Sequence, residues 1–213
     1  MNLLVSIGIV LSLLPVPKVD QSEQDRDKRL YSIAIGIDRA AERATCTGAY
    51  AGETCRPIAS DPSLVAAELI VLANEETALR RNVHADACLA HQCDPTKQRV
   101  RGVVYIMHRA RSLWQLHKAP IWSDAKWAAL AGMSQEATDN SAWEATKLMA
   151  GGHGACKTTA GAFAYYAGNR WCLHKSAEGR AARVVAVRGR LLRLIQQTEP
   201  TKELSQSGEV AER

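Results

Sequence analysis

The stretch DPSLVAAELIVLANEET, Asp61–Thr77, decides the fold. Asp61 offers a side-chain acceptor to the first turn, and Pro62 supplies a helical φ where no amide donor is needed, so a helix starts here. Val65, Leu69 and Leu72 follow at i, i+4 and i+7, and the next member of that stripe is Glu76. An apolar helical face therefore ends on a carboxylate. Glu75 shares its face with Leu64, Glu68 and Val71, which predicts a solvated neighbour.

Outward from this helix, the 213 residues are 46% hydrophobic and 23% charged, enough apolar material for one compact domain plus tails. Residues 1–17 are apolar and resemble the core of a signal peptide or an anchor, although no Lys or Arg precedes the apolar run and no small-residue cleavage site follows it. Residues 18–30 (KVDQSEQDRDKRL) are a charged linker or a solvated helix start. The polar tail 198–213 is expected to be poorly ordered, which leaves the domain at 31–197.

Between Arg80 and Arg111 the helical pattern breaks. Asp94-Pro95 and Gly102 punctuate it, and Val100, Val103, Val104 and Ile106 suggest a strand or hairpin. Helical patterns return at 123–131, at 135–150 with a stop at Gly151-Gly152, at 158–167 and at 176–196. The fold class is mainly α with a small β or irregular lobe (α+β). Six Cys form three close couples, Cys46/Cys55, Cys88/Cys93 and Cys156/Cys172; an even count at short spacing suits disulfides in an oxidising compartment, with nearest-neighbour pairing expected.

A carboxyl at the end of an apolar stripe loses hydration, which favours the protonated form that a general acid for glycosidic cleavage needs. Three ordered segments bear on this: Glu76-Thr77 at a helix end, Ala110-Arg111-Ser112-Leu113-Trp114-Gln115, and Ala164-Tyr165-Tyr166-Ala167-Gly168. Together they resemble the motifs of the lytic transglycosylase and goose-type lysozyme superfamily: a catalytic Glu followed by Ser, a Gly-Leu-(Met/Trp)-Gln segment, and an Ala-Tyr-Asn-Ala-Gly segment. The resemblance covers about residues 60 to 190 and implies a lysozyme-like fold. It implies Glu76 as general acid/base, Ser112 and Gln115 lining the sugar site, and Tyr165 packing or hydrogen-bonding beside the Glu. Thr77 stands for the usual Ser, Ser112 for the usual Gly and Tyr166 for the usual Asn. The implied substrate is the glycan strand of peptidoglycan, cut at the β-1,4 bond after N-acetylmuramic acid, with no cofactor and no metal.

Hydrolysis calls for a second carboxylate, whereas transglycosylation can use the substrate's own muramyl hydroxyl. Asp94 and Asp86 are the candidates, each also an ordinary turn or surface residue. Trp114, Trp122 and Trp143 are candidates to stack on sugar rings or to fill the core. His84, Cys88, His91 and Cys93 lie within ten residues, but their spacing matches no common zinc pattern. The last helix interleaves Arg180, Arg183, Arg188, Arg190 and Arg193 with apolar residues and has no aromatics; it reads as an amphipathic helix with a basic outer edge, not as a nucleic-acid or membrane-surface binder. The expected protein is a monomer with no nucleic-acid partner and no stable membrane partner beyond an N-terminal anchor. It is extracellular or periplasmic, or carried on a virion. The alternative class is a non-catalytic, disulfide-stabilised cell-wall-binding or structural module, which would tolerate loss of Glu76.

Overall fold

The computed structural model describes residues 2–15, 22–89, 92–93, 95–101 and 103–197. In chain order the elements are α1 (Leu3–Ser12), α2 (Glu23–Thr45), α3 (Pro62–Thr77), α4 (Arg81–His84), β1 (Pro95–Val100), β2 (Val103–Arg109), α5 (Asp124–Ala128), α6 (Gln135–Cys156), α7 (Thr159–Tyr166) and α8 (Ala177–Gln196). The architecture is mainly α, with one antiparallel two-stranded hairpin in which Pro95 faces Arg109 and Val100 faces Val103.

Helix α3 is the axis of the core. Asp61 caps it, accepting from the amides of Ser63 at 2.8 Å and Leu64 at 3.2 Å, with Pro62 at its first position. The single stripe expected from the sequence is too narrow a description: Leu69, Ile70, Leu72 and Ala73 are each at most 1% exposed, so α3 is wrapped on all sides. It packs against α1, α2, α6 and α8, and this wrapping takes in Glu68, on the side assigned to solvent. Glu75 is exposed, as expected.

One expectation about helix ends changes, and one stated alternative is selected. Gly151-Gly152 does not stop α6, which continues to Cys156. Gly152 is instead the point where α7 crosses closely: a Cβ there would lie 2.8 Å from the Cα of Ala162. The charged stretch 18–30 is helical from Glu23, with Ser22 capping α2.

The apolar N-terminal segment forms α1, whose Ile7 and Leu11 are fully buried in the common core, with α2 and α8 as its main neighbours. Among the described residues no helix is long and apolar enough to cross a membrane. The tail 198–213 lies outside the described residues. Disulfides join Cys46 to Cys55, Cys88 to Cys93 and Cys156 to Cys172, the nearest-neighbour pairing expected from the sequence. Three such bridges suit an oxidising, non-cytoplasmic environment.

Candidate active site

Glu76 lies in the last turn of α3, where the chain reverses sharply. Ala78 and Leu79 follow in left-handed conformation, with φ of 48° and 54°, and Leu79 is fully buried. Two consecutive non-glycine residues in this region cost conformational energy, held in place here by the buried Leu79 side chain. The reversal opens a cavity of about 570 Å³ lined by Glu76, Gln115, His117, Tyr166, His174 and Arg180, among others. Residues from the three sequence motifs thus meet on one cavity wall.

Glu76 accepts a hydrogen bond from Arg180 Nη1 of α8 at 2.5 Å, and both side chains are mostly buried, at 18% and 14% exposure. Arg180 was expected on an outer basic edge. Instead α8 turns three arginines toward α3 and its cap: Arg180 to Glu76, Arg183 to Glu75 and Arg188 to Asp61, each at 2.5 Å. Tyr166 Oη donates to the Trp114 carbonyl at 2.5 Å, which ties the third motif to the second. Burial, with the negative charge of Glu76 adding to it, pushes the Tyr166 phenol well above its ordinary range, so it remains a donor.

The second motif forms a tight loop closed by a bridge between Arg111 and Leu116. Ser112 and Gln115 both adopt left-handed backbone, with φ of 63° and 49°. Gln115 faces the cavity and donates through Nε2 to Cys93 Sγ at 3.4 Å, so the Cys88–Cys93 bridge stands directly behind it. Ser112 is buried and absent from the cavity lining; its Oγ accepts from the Trp114 amide at 3.3 Å, making it a turn residue. Trp114 is fully buried, with Nε1 donating to the Leu69 carbonyl at 3.0 Å, so it belongs to the core and cannot stack on a sugar.

The tyrosine assignment shifts by one residue. Tyr165 is absent from the cavity wall and Tyr166 takes that place, since successive helical residues point about 100° apart. Asp86 lies in a separate cavity of about 240 Å³, with Arg111 Nε 3.3 Å from its carboxylate. Burial raises the Asp86 carboxyl above its usual range, against the opposing effect of Arg111, and it does not reach the Glu76 cavity. Asp94 lies outside the described residues, as does His91.

The zinc alternative loses its thiolates to the Cys88–Cys93 bridge, and His84 is buried against Thr138, 2.9 Å from its hydroxyl. Among the described residues no group of three His, Cys, Asp or Glu is placed to hold a metal. Trp122 is buried, and Trp143 lies beneath the Arg43 guanidinium at 4.2 Å, in a different cavity from Glu76. Trp171 is the most exposed tryptophan, at 85%, in a turn pinned by Cys156–Cys172 that also contributes Gly168 and His174 to the Glu76 cavity.

Sequence reasoning missed Tyr166, Arg180, His117 and His174 as cavity residues. It also missed a second buried carboxylate: Glu68, 4% exposed, accepts from His153 Nε2 at 2.5 Å across α3 and α6, at the wall of a largely apolar cavity of about 520 Å³. That hydrogen bond, against the effect of burial, raises the His153 imidazole above its ordinary value. Compared with protein families, with curated proteins and with solved structures, the chain shows no match.

Proposed function

We propose that the protein is a lysozyme-like, peptidoglycan-cleaving glycosidase, a lytic transglycosylase or muramidase, with Glu76 as its general acid/base. The observation that carries this reading is the convergence of Glu76, Gln115 and Tyr166-Ala167-Gly168, three segments far apart in sequence, on one cavity. Two backbone details support it. Ser112 is left-handed, with φ of 63°, at the place where the resembled motif carries Gly, and Gly168 at the end of the third motif has φ of 83°. The disulfides fit a protein that works outside the cytoplasm, where the wall is.

In the proposed reaction the Glu76 carboxyl gives its proton to the glycosidic oxygen as the C1–O bond of the muramyl residue breaks. The developing positive charge at C1 is then taken by water or by the muramyl C6 hydroxyl. The proton lost from that nucleophile returns to Glu76, so the enzyme ends as it began. Gln115 Nε2 and the two cavity histidines supply polar groups to orient the sugar amide and hydroxyls.

One observation favours the second reading, a non-catalytic wall-binding or structural module. The Glu76–Arg180 ion pair is the kind of contact that would also serve structure alone. Turnover of purified peptidoglycan by the wild type and by Glu76→Gln, with product masses recorded, separates the two. Reducing-end muramic acid lost in the variant marks a hydrolase, and lost 1,6-anhydro products mark a transglycosylase. An inactive but folded wild type sinks the enzyme reading.

A further inference from the structure

A tryptophan and a leucine left almost bare to water need a reason, because burying either would stabilise the fold. Trp171 is 85% exposed and Leu173 74% exposed, two residues apart in the turn between α7 and α8. The backbone of this turn is fixed. Asn169 Oδ1 accepts from the Trp171 amide at 2.9 Å and Asn169 Nδ2 donates to the Leu173 carbonyl, so one side chain brackets both residues. Between them Cys172 is left-handed, with φ of 61°, and is bonded to Cys156 at the end of α6.

The charges around the pair have one sign. Arg170 and Lys175 flank it in sequence, and Lys157 adjoins it across the disulfide; all three are exposed. Among the described residues none of these three has a carboxylate partner, whereas Arg180, Arg183 and Arg188 of α8 are all engaged by carboxylates. From Ala145 to Ala177 the sequence contains no Asp or Glu, and the first carboxylate beyond the turn is Glu178 of α8.

We propose that the turn from Arg170 to Lys175 is a membrane-docking surface. Trp171 and Leu173 enter the interfacial layer of a bilayer rich in anionic phospholipid, and Lys157, Arg170 and Lys175 meet its headgroups. An indole suits that layer, with an apolar ring to bury and an N–H to keep near water. A second copy of the chain fits worse, because a face-to-face contact would set the same three cations against one another. With two apolar side chains and three charges the docking is reversible, and the bridged turn needs no refolding to make it. The contact is independent of what Glu76 does. Because the same turn supplies Gly168 and His174 to the Glu76 cavity, docking places that edge of the cavity beside the bilayer.

The test is co-sedimentation of the full, disulfide-intact chain with vesicles of phosphatidylglycerol and phosphatidylethanolamine, and with phosphatidylcholine vesicles as the neutral control, at about 0.1 M salt. The anionic vesicles are expected to bind about ten-fold or more tighter than the neutral ones. Trp171→Ala with Leu173→Ser should lower that binding about ten-fold or more, the scale of one apolar side chain withdrawn from water. Arg170→Gln with Lys175→Gln should lower it about five-fold per charge. Vesicles with brominated acyl chains report insertion directly: they should quench the wild-type tryptophan fluorescence, and Trp171→Leu should abolish the quenching while keeping most of the binding. If Trp171→Ala with Leu173→Ser does not fold, the quenching by itself decides. No binding to anionic vesicles overturns the proposal, and so does binding that ignores the Trp171 and Leu173 substitutions, which is attraction by net charge alone. Self-association lost in Trp171→Ala, or a Trp171 fluorescence change with chitohexaose, each without vesicle binding, assigns the turn to a second copy or to a sugar and overturns it equally.

Discussion

The middle of α3 and its last turn each carry a largely buried carboxylate, and the partners differ. Glu68 meets His153 of α6, and Glu76 meets Arg180 of α8, both at 2.5 Å. An imidazole changes charge within the physiological range and a guanidinium does not. The Glu68 pair spans two helices that close the core, beside a cavity lined mostly by apolar groups; the Glu76 pair stands at a cavity with several polar walls. One helix thus carries one carboxylate at a largely apolar cavity and, in the function proposed here, a second placed to meet a ligand, and the two differ in the chemistry of their partners.

The sharpest way to break this comparison is to remove each carboxylate in turn. Glu76→Gln should lower glycan cleavage by about 10²–10⁴-fold and cost less stability than Glu68→Ala, because the Gln oxygen can still accept from Arg180 although the charge pairing is lost. Glu68→Ala should leave activity per folded molecule near that of the wild type. It deprives His153 of its partner, and denaturant unfolding should show a loss of about 2–3 kcal/mol. The reverse pattern, with activity following Glu68 and stability following Glu76, would exchange the two roles.

Acidity sharpens the same contrast. The His153 imidazole is raised by its hydrogen bond to Glu68, so its contribution is fully present below its ordinary value of 6.5 and is lost as pH rises through the raised value. The stability difference between wild type and His153→Gln should shrink in that direction. His84 has the opposite sign: burial, and then the nearby Arg29, pushes it down from 6.5 to about 3. Between those values the unfolded chain binds a proton that the folded one refuses, so stability falls as pH drops, by at most about 1.4 kcal/mol per pH unit. His84→Asn should flatten this acid limb in thermal unfolding, and an unchanged slope would remove His84 as its source. The smallest effect is expected at the turn behind Glu76, where Ala78→Gly relieves a φ of 48° and should stabilise by up to about 1 kcal/mol in denaturant melts.

What the sequence revealed was mostly local. Asp61-Pro62 announces the start of α3 because capping is decided within four residues, and the Cys couples pair as expected because short loops close easily. The β-branched run from Val100 to Ile106 became a hairpin. Glu68 and Arg180 were misplaced because their surroundings are set by partners 85 and 104 residues away, His153 and Glu76, which no periodicity reports. Gly151-Gly152 looked like a stop, but the crossing of α7 required a residue without a Cβ more than the helix required an end. Tyr165 and Tyr166 differ only in which way a helical turn faces, and that depends on where α7 docks.

The three arginines of α8 also do mechanical work. As α8 advances from Arg180 to Arg188, its partners retreat along α3 from Glu76 to Asp61, so the helices run antiparallel with ion pairs at both ends of their contact. Sliding α8 by one turn, about 5.4 Å, would break these contacts together, whereas a looser apolar seam would tolerate the slip. The ladder acts as a register pin that fixes how deep Glu76 sits in its cavity, a dimension that apolar packing alone sets less sharply.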